Sequence, residues 1–427
     1  MNHNSIAITS PALGERYLRV EHPSGLTILM CPMEGYSTAY AMFAAKVGSI
    51  DTTFKTEKEE DFVEVPAGIA HFLEHKMFEC EDGDAFAKYA KTGANANAFT
   101  SFDRTAYLFS CTGNFRQSLE ILLDFVSRPY FTPQTVQKEQ GIIGQEIRMY
   151  DDDPGWRSFF NLLGALYHRN PVRLDIAGTT ESIAEISSDL LYRCYHTFYS
   201  LGNMVLTVAG NFTPEEVIET ADKILKKGED VTIQWRRAEE PREIAAPYVE
   251  QSLSVSTPLF QIGFKGPEGD SKENLRRQVA DEVLLEILCG ESSPLYRRLY
   301  DGGLINSAFS YEVLSGRDYL CCMYAGESRE PKKVYEAICQ EAEKLAKEGI
   351  DPEAFRRCKK ATYGRYIGMF SRVDSVASLM VLSHFAGLDS MYQLLDMAKE
   401  LTAEDLRRRL LEDLDPKYSA LSVVNPV

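Results

Sequence analysis

Two histidines and a glutamate lie together in the stretch GIAHFLEHKMFE, residues 68–79. His71 and His75 are four residues apart, and Glu74 immediately precedes the second histidine. On a helix, side chains at this spacing share a face about one turn apart, so both imidazoles could bind one metal ion. Glu74 lies at the edge of that face, where its carboxylate could take a proton from a metal-activated water and deliver it to a leaving amine. The His-x-x-Glu-His order is the inverted form of the zincin motif, and it predicts a zinc site with its own general base.

The alternative is an ordinary amphipathic helix that exposes two imidazoles to solvent. Phe72 and Leu73 make the segment largely apolar, as does the preceding Gly-Ile-Ala. Neighbouring imidazoles on a buried helix need a common partner, because burying unpaired polar groups is costly. The surrounding sequence therefore favours a metal site over exposed histidines.

A catalytic zinc ion usually takes three protein ligands, so one more must come from elsewhere in the chain. His168 and His196 are candidates, although each stands alone in the sequence. Glu139 and Glu146, in the helical stretch QKEQGIIGQEIRMY, are seven residues apart and so lie on one face. One could bind the metal while the other supports it. A solvated helix face would show the same spacing, so the pattern alone leaves this choice open.

The elements that must position these residues can be recognised from hydrophobic patterning. RYLRVEHPSGLTILMCP predicts strand, turn and strand, and NANAFTSFDRTAYLFSCTG predicts two further strands. GDAFAKYAKTG predicts a helix closed by Gly93. The helix that carries the two glutamates is predicted to begin with Thr132 as N-cap and Pro133 at its first position. TPEEVIETADKILKKG predicts a capped helix that ends at Gly228.

The order of elements then starts again after a charged, proline-containing stretch. NLRRQVADEVLLEILCG corresponds to the helix with the histidines, and SAFSYEVLSGRDYLCCMYAG corresponds to the strand pair around NAFT. This weak duplication predicts an α+β protein of two similar domains, each with an antiparallel or mixed sheet. We place the first domain at residues 1–228, a linker at 229–248 and the second domain at 249–427.

Composition excludes several classes of function. The 427 residues carry a formal net charge of −17, and an acidic surface argues against nucleic acid as a partner. The sequence shows no signal peptide and no apolar run long enough to span a membrane. The nine cysteines include no Cys-x-x-Cys pair, which predicts reduced thiols in a cytoplasmic protein rather than a cysteine-based zinc site.

The motifs GIAHFLEHKMF, NANAFTSFDRTAYLF, KEQGIIGQEIRMYDDDP and YHTFYSLGNMVLTVAGNF resemble those of the pitrilysin–insulinase metallopeptidases, which include the mitochondrial processing peptidase. The resemblance spans almost the whole chain. It implies two similar α+β domains, each with helices on one face of its sheet, and one zinc site. It also implies His71, His75 and Glu146 as zinc ligands, Glu74 as general base and Glu139 as support for the ligands.

The same resemblance implies that a peptide substrate lies extended against a sheet edge. The matching residues are Asn97, Ala98, Phe99 and Thr100. Main-chain hydrogen bonds would hold any peptide there, and the small Ala98 would let a backbone approach closely. The alternative is that this stretch is simply a buried strand.

One departure from the family pattern concerns substrate clamping. Active members carry an Arg and a Tyr seven residues apart in the second domain type, and this chain has Tyr300 and Ser307 at those positions. Arg297 and Arg298 lie nearby but out of register. The resemblance is therefore closest to the zinc-binding chain of bacterial two-subunit members. It implies a zinc endopeptidase subunit in a heterodimer with a homologous chain that supplies the Arg and Tyr, or else in a homodimer. A protease dedicated to one precursor and a non-catalytic scaffold are the alternatives.

Overall fold

The computed structural model describes residues 5–228 and 231–427. The contacts group the chain into two compact units. We call the first the N-terminal unit, which comprises the residues up to Ile147, Asp175–Arg236 and Gly368–Tyr392. The C-terminal unit comprises Arg148–Leu174, Arg237–Ile367 and Gln393–Val427.

The described residues form strands and helices in the following order. The strands are β1 (Ser5–Ser10), β2 (Glu15–Glu21), β3 (Thr27–Pro32), β4 (Ala39–Ala45), β5 (Thr53–Thr56), β6 (Val63–Glu64), β7 (Glu79–Cys80), β8 (Gly83–Asp84), β9 (Asn95–Thr100), β10 (Thr105–Cys111), β11 (Met204–Gly210), β12 (Ile233–Trp235), β13 (Tyr248–Leu253), β14 (Leu259–Lys265), β15 (Ser310–Gly316), β16 (Tyr319–Glu327) and β17 (Ser419–Pro426). The helices are α1 (Ile69–Met77), α2 (Ala85–Thr92), α3 (Phe115–Val126), α4 (Pro133–Asp151), α5 (Pro154–Leu166), α6 (Thr180–Ala184), α7 (Ser188–Phe198), α8 (Pro214–Ile224), α9 (Ser271–Cys289), α10 (Pro294–Asp301), α11 (Pro331–Glu348), α12 (Pro352–Met369), α13 (Val373–Phe385), α14 (Gln393–Glu400) and α15 (Ala403–Asp413).

The N-terminal unit is built on a seven-stranded sheet in the order β1-β2-β3-β11-β4-β10-β9. Strands β3 and β11 are parallel, and the other neighbours are antiparallel. Strand β9, which carries Asn97 to Thr100, is therefore an edge strand that pairs with β10 alone within this sheet. Helices α1 and α3 pack against β10. The predicted mixed sheet is confirmed.

A further helix, α13, covers the other face of this sheet. The ring of Tyr107, on β10, lies against Phe125 of α3. Phe43 of β4 lies opposite Tyr107, and Leu206 of β11 lies opposite Phe43, so all three side chains point to the same face. Thr207, the next residue along β11, points to the opposite face and donates a hydrogen bond to Ala377 of α13 at 3.1 Å. Both faces of β11 are consequently buried.

The C-terminal unit repeats the architecture with a five-stranded sheet in the order β13-β17-β14-β16-β15. Helix α9 packs against β15 and β16, while α5 packs against β14 and β17. Gly263 of β14 permits this second contact, since a β-carbon there would lie 2.7 Å from Leu166 and 2.9 Å from Leu162. The α+β class and the two similar units predicted from the sequence are confirmed by this repeated order.

Two boundaries differ in detail from the sequence prediction. Helix α8 ends at Ile224 rather than Gly228, because Leu225 already has an extended backbone. Residues 229–230 of the predicted linker lie outside the described residues, and the rest of that stretch includes β12 and the start of β13. The units exchange α5 and α13, whereas the predicted domains were continuous in the chain; boundaries at 228 and 249 stay a prediction.

Within residues 5–228 and 231–427, every helix is too short or too polar to cross a bilayer.

Candidate metal centre

Helix α1 is held in place at its first turn by two glycines. Gly68 caps the helix with a φ of 91°, and a β-carbon there would lie 2.4 Å from the carbonyl oxygen of Ala177. Gly178 has a φ of 76°, and its β-carbon would meet the carbonyl oxygen of Ala67 at 2.4 Å. Two backbones can approach this closely only where both residues lack a side chain. The backbone at the start of α1 therefore packs directly against the backbone of the segment before α6.

His71, His75 and Glu146 converge on one point. The two imidazole rings are 4.5 Å apart between centroids. Glu146 Oε1 lies 3.8 Å from His71 Nε2, and Glu146 Oε2 lies 3.5 Å from His75 Nε2. One ligand atom from each of the three residues lies within 4.8 Å of the other two. In the part of the chain that the structure describes, no other histidine, cysteine or carboxylate group of three does this.

The electrostatics at His71 favour its neutral form, which is the form that binds metals. Burial, together with the charge of neighbouring His75, lowers the pKa of His71 to about 4 despite the opposing charges of Glu146 and Glu139. Its Nδ1 atom is buried and has no hydrogen-bond partner among the described residues. Two imidazole nitrogens and one carboxylate oxygen form a donor set that zinc prefers, so these residues fit the ion.

Glu139 holds the second imidazole from the side opposite Glu146. Glu139 Oε1 lies 3.0 Å from His75 Nδ1. Burial lowers the pKa of His75, but the hydrogen bond with Glu139 and the charges of Glu146 and Glu74 outweigh it, so the pKa is raised. A carboxylate bonded to the far nitrogen fixes the orientation of a ligating imidazole. Glu139 thus contacts a candidate ligand, and the cluster of three does not include it.

Glu74 is fixed by the end of the edge strand. Thr100 Oγ1 donates a hydrogen bond to Glu74 Oε2 at 2.6 Å. Burial raises the pKa of Glu74, although the Thr100 hydroxyl and backbone partly counter that effect. The threonine that the resemblance assigns to substrate therefore contacts the candidate base, a contact that spacing along the chain did not reveal.

Helix α4 brings both glutamates to the site because its start and its buried face are fixed. Thr132 Oγ1 accepts a hydrogen bond from the backbone of Thr135 at 3.2 Å, and Pro133 is the first helical residue, as the sequence predicted. Gln140, beside Glu139, donates to the carbonyl oxygens of Ile183 and Ile186 at 3.2 and 3.1 Å. The face that carries Glu139 and Glu146 is thus held toward α1. The alternative ligands His168 and His196 lie outside the cluster.

The open edge of β9 runs beside the centre. Asn97, Ala98 and Phe99 pair on one side with β10. On the free side, the backbone N–H of Ala98 donates a hydrogen bond to the side-chain Oδ1 of its neighbour Asn97 at 2.9 Å. Asn97 and Ala98, with His75 and Glu139, line a cavity of about 750 Å³. Two of the four predicted substrate residues, Asn97 and Ala98, therefore lie at the same cavity as His75, one of the predicted metal ligands.

The C-terminal unit has a different pair of side chains at the corresponding positions. Glu286 of α9 matches Glu74 in the repeated order of elements. Arg365 stands as far from the start of α12 as Glu146 stands from the start of α4. Arg365 Nη1 lies 3.1 Å from Glu286 Oε2, which also accepts a hydrogen bond from the Tyr311 hydroxyl. An arginine–carboxylate pair thus occupies the positions that face the metal site in the other unit.

The chain matches the models of known families and the sequences of known relatives. Residues 63–180 match the family described as "Insulinase (Peptidase family M16)", and residues 185–362 match "Peptidase M16 inactive domain". A Bacillus subtilis (strain 168) protein named "Uncharacterized zinc protease YmfH" is 39% identical over 92% of this chain and 92% of its own length. The chain belongs to the insulinase family, peptidase family M16. The insulinase match contains His71, His75 and Glu146, and the resemblance seen in the sequence motifs is confirmed.

Two further M16 comparisons bear on the fold and on assembly. The crystal structure of an M16-like peptidase from Alicyclobacillus acidocaldarius superposes with a TM-score of 0.92 at 32% identity, covering 100% of this chain and 99% of that one. An Arabidopsis thaliana protein named "Probable mitochondrial-processing peptidase subunit beta, mitochondrial" is 25% identical over 51% of this chain and 42% of its own length. The M16 fold extends over the whole chain.

Proposed function

We propose that this chain is the zinc-binding subunit of a metal-dependent endopeptidase. The observation that carries the proposal is the convergence of His71, His75 and Glu146 beside the buried carboxylate of Glu74. The relatives named zinc proteases support the same metal. The substrate class is a peptide in extended form, because the open edge of β9 lies at the same cavity.

In this proposal the three converging residues hold zinc, and the chain supplies the rest of the chemistry. A zinc ion held there supplies Lewis acidity that polarises a peptide carbonyl and acidifies a water molecule. Glu74 accepts the proton of the attacking water and passes it to the leaving amine. Burial raises the pKa of Glu74 above the ordinary value of a glutamate, which makes its carboxylate a better proton acceptor for the first half of that transfer. Glu139 keeps His75 oriented through their 3.0 Å contact.

The substrate backbone would add to β9 as a further strand. The free side of β9 offers main-chain groups at Ala98, whose small side chain leaves room for a second backbone. In this structure the Asn97 side chain accepts the hydrogen bond of the Ala98 N–H, so this side chain must turn away when a peptide pairs there. Phe99 and Thr100 complete the segment, with Thr100 joining the strand to the base.

The test of the catalytic role is the substitution Glu74→Gln. We expect hydrolysis of a mixed peptide library to fall by about 100-fold or more, because the proton acceptor is lost. Zinc content, measured by mass spectrometry of the purified protein, should remain one ion per chain because the ligands are intact. A wild-type chain that binds zinc and cleaves nothing, even with its partner present, would favour the scaffold alternative.

We further propose that full activity needs a homologous partner chain. The support is the absence of the family's Arg and Tyr: Tyr300 is 44% exposed and stacks on Tyr296, and neither it nor Ser307 can bind a carbonyl as a guanidinium does. Co-purification from the native source should bring down a related chain that carries both residues. If the purified chain alone hydrolyses the library as fast as the two-chain complex, the missing pair has no role.

We also propose a reducing, cytoplasmic setting. All nine cysteines are free thiols in the structure, and most are buried. Subcellular fractionation of the native source, followed by immunoblotting, tests this location. Recovery with periplasmic or secreted proteins would contradict it.

A further inference from the structure

The seven-stranded sheet of the N-terminal unit has a second open edge, at the end opposite β9. Strand β1 (Ser5–Ser10) forms this edge, and within the described residues its only strand partner is β2. The strand is largely exposed to solvent, and the Ile6 side chain is 61% exposed. An open edge presents a row of main-chain N–H and C=O groups that can pair with a strand of another chain. The free side of β1 therefore allows strand addition unless the chain protects it.

The composition of β1 lacks the usual protection of an edge strand. Proteins commonly guard open edges with charged side chains or proline. Both edges of the C-terminal sheet follow this rule, because β13 carries Glu250 and β15 carries Glu312. Strand β1 contains no charged residue and no proline, a property that it shares with β9, the edge proposed to pair with a peptide. The sequence of β1 thus matches an edge that pairs with another strand.

The hairpin that contains β1 is electrically balanced. Residues 5–21 contain two acidic and two basic side chains, namely Glu15, Glu21, Arg16 and Arg19. Their formal charges cancel, whereas the whole chain carries a net charge of −17. A net charge of that size opposes the close approach of two copies in general. At this hairpin, two copies can meet without an excess of like charge.

The side chains of β1 are also complementary to those of a second β1. Ile6 and Ile8 lie on one face of the strand, because side chains two residues apart point the same way. When two copies of β1 pair antiparallel with Ala7 on the two-fold axis, Ile6 of each copy lies opposite Ile8 of the other. Facing β-branched side chains stabilise adjacent strands, and a self-complementary patch on a two-fold axis is the common contact of homodimers.

We propose that β1 pairs antiparallel with β1 of a second copy of this chain, so that the two seven-stranded sheets become continuous. The contact is small, because a strand of six residues spans only about 20 Å. Interfaces below about 1,200 Å² are typical of weak complexes, so this dimer depends on the protein concentration. The proposal is independent of the peptidase function, since β9 rather than β1 runs beside the candidate metal centre.

Sedimentation velocity of the purified full chain, without any partner chain, tests the association. We expect monomers at about 1 μM and a growing fraction of dimers toward about 100 μM, as for a small interface. A chain that stays monomeric over this whole range would overturn the proposal.

Matched variants show whether β1 forms the contact. Ala7→Glu places two like charges opposite each other on the proposed axis, so the dissociation constant of the dimer should rise about ten-fold or more. Ala7 is exposed, and an unchanged melting temperature will confirm that the variant folds. Ala361→Glu is the control, because it changes the net charge equally at an exposed position of α12. Its dissociation constant should match that of the wild type.

Hydrogen exchange detects the new strand pairing directly. Amide exchange of β1 should slow between 1 and 100 μM protein, since its free N–H groups become bonded, while exchange of the protected edge β13 stays unchanged. Slower exchange of β1, together with a dimer that only Ala7→Glu weakens, would support the proposal. Equal weakening by both glutamate variants, or exchange of β1 that does not change with concentration, would overturn it. Slowing that occurs only after a homologous chain is added would also overturn it, because the edge would then bind that chain.

Discussion

At the residue scale, two carboxylates on one helix face have different neighbours. Glu146 lies between the Nε2 atoms of both histidines, whereas Glu139 contacts only the Nδ1 atom of His75. The first position can bind a metal ion shared with the imidazoles. The second can only orient one of them. Two glutamates on the same face of a helix therefore need not have the same role at the site.

Substitution of these two glutamates should have distinct effects on zinc content. Glu146→Gln removes a charged ligand and should release most of the zinc. Glu139→Gln should retain most of it while activity falls about 10- to 100-fold, because an orienting partner tunes a ligand without replacing it. Metal analysis beside peptide hydrolysis measures both. Equal zinc loss in the two variants would show that these roles are wrongly assigned.

Thr100 offers a second prediction at this scale. Removing its hydroxyl in Thr100→Val leaves the Glu74 carboxylate without a charge-assisted hydrogen bond, which is worth about 1.5–3 kcal/mol. The turnover number should fall by roughly 10- to 100-fold, while Thr100→Ser restores it because serine keeps the donor. Steady-state kinetics with one peptide substrate check this. If the serine variant were as impaired as the valine variant, the hydroxyl would not hold the base.

The sequence predicted the local part of this site and left the rest open. His71, Glu74 and His75 share one helical turn, so their spacing alone specifies a common face. Glu146 comes from a distant helix, so spacing alone could not separate it from His168 and His196. The family resemblance implied Glu146, and in the structure it lies with the two histidines. The Thr100 contact joins a strand end to a helix, and no local periodicity encodes it.

At the scale of elements, hydrophobic patterning predicted most helices and strands but not their partners. An amphipathic helix shows which of its faces is buried, not which sheet buries it. Helix α13 packs on β11 of the N-terminal unit, although it follows the whole second set of strands in the chain except β17. Helix α5 likewise joins the C-terminal unit from the first half of the sequence. Continuous domain boundaries could not have anticipated this exchange.

The packing of α9 against α15 buries two acidic side chains. Asp281 and Asp413 are both fully buried. Burial raises the pKa of Asp413 to about 6, and burial with the Asp413 charge raises the pKa of Asp281 well above its usual value. Arg409 and Arg277 counter only part of this effect. Both carboxyls ionise near pH 4 in the unfolded chain, so the folded state holds more protons above that pH.

Stability should therefore decrease as pH rises from about 4 through 6, because the folded state binds the extra protons. Asp281→Asn removes one of these groups without changing its shape. We expect it to raise the free energy of unfolding at pH 7 by about 1–3 kcal/mol and to flatten the pH dependence. Urea unfolding from pH 5 to pH 8 measures this. The exposed Asp152→Asn is the control, and identical behaviour of the two variants would contradict the prediction.

At the scale of the whole molecule, the sequence motifs sufficed to predict the family and the repeated α+β architecture. One motif carries a residue of each kind, since Gly68 permits the close backbone approach at the start of α1 and His71, three residues later, belongs to the candidate metal site. Partner choice is different. The proposed partner chain rests on Tyr300 and Ser307, and the packing of a single chain carries no signal for the residues that would lie beside them in an assembly.

The arginine of the C-terminal unit has a thermodynamic consequence. The guanidinium of Arg365 is covalently attached, so the carboxylate of Glu286 keeps its counter-charge when metal is removed from the solution. A metal ion at His71, His75 and Glu146 would instead be held reversibly, so its contribution to stability depends on the metal concentration. Stripping the protein with a chelator should therefore lower the melting temperature of one half of the molecule by several degrees and leave the other unmoved. Differential scanning calorimetry would show a single peak dividing into two, and an equal downward shift of both halves would refute the idea. The melting temperature of one half of the duplicated chain would then depend on the metal concentration, and that of the other half would not.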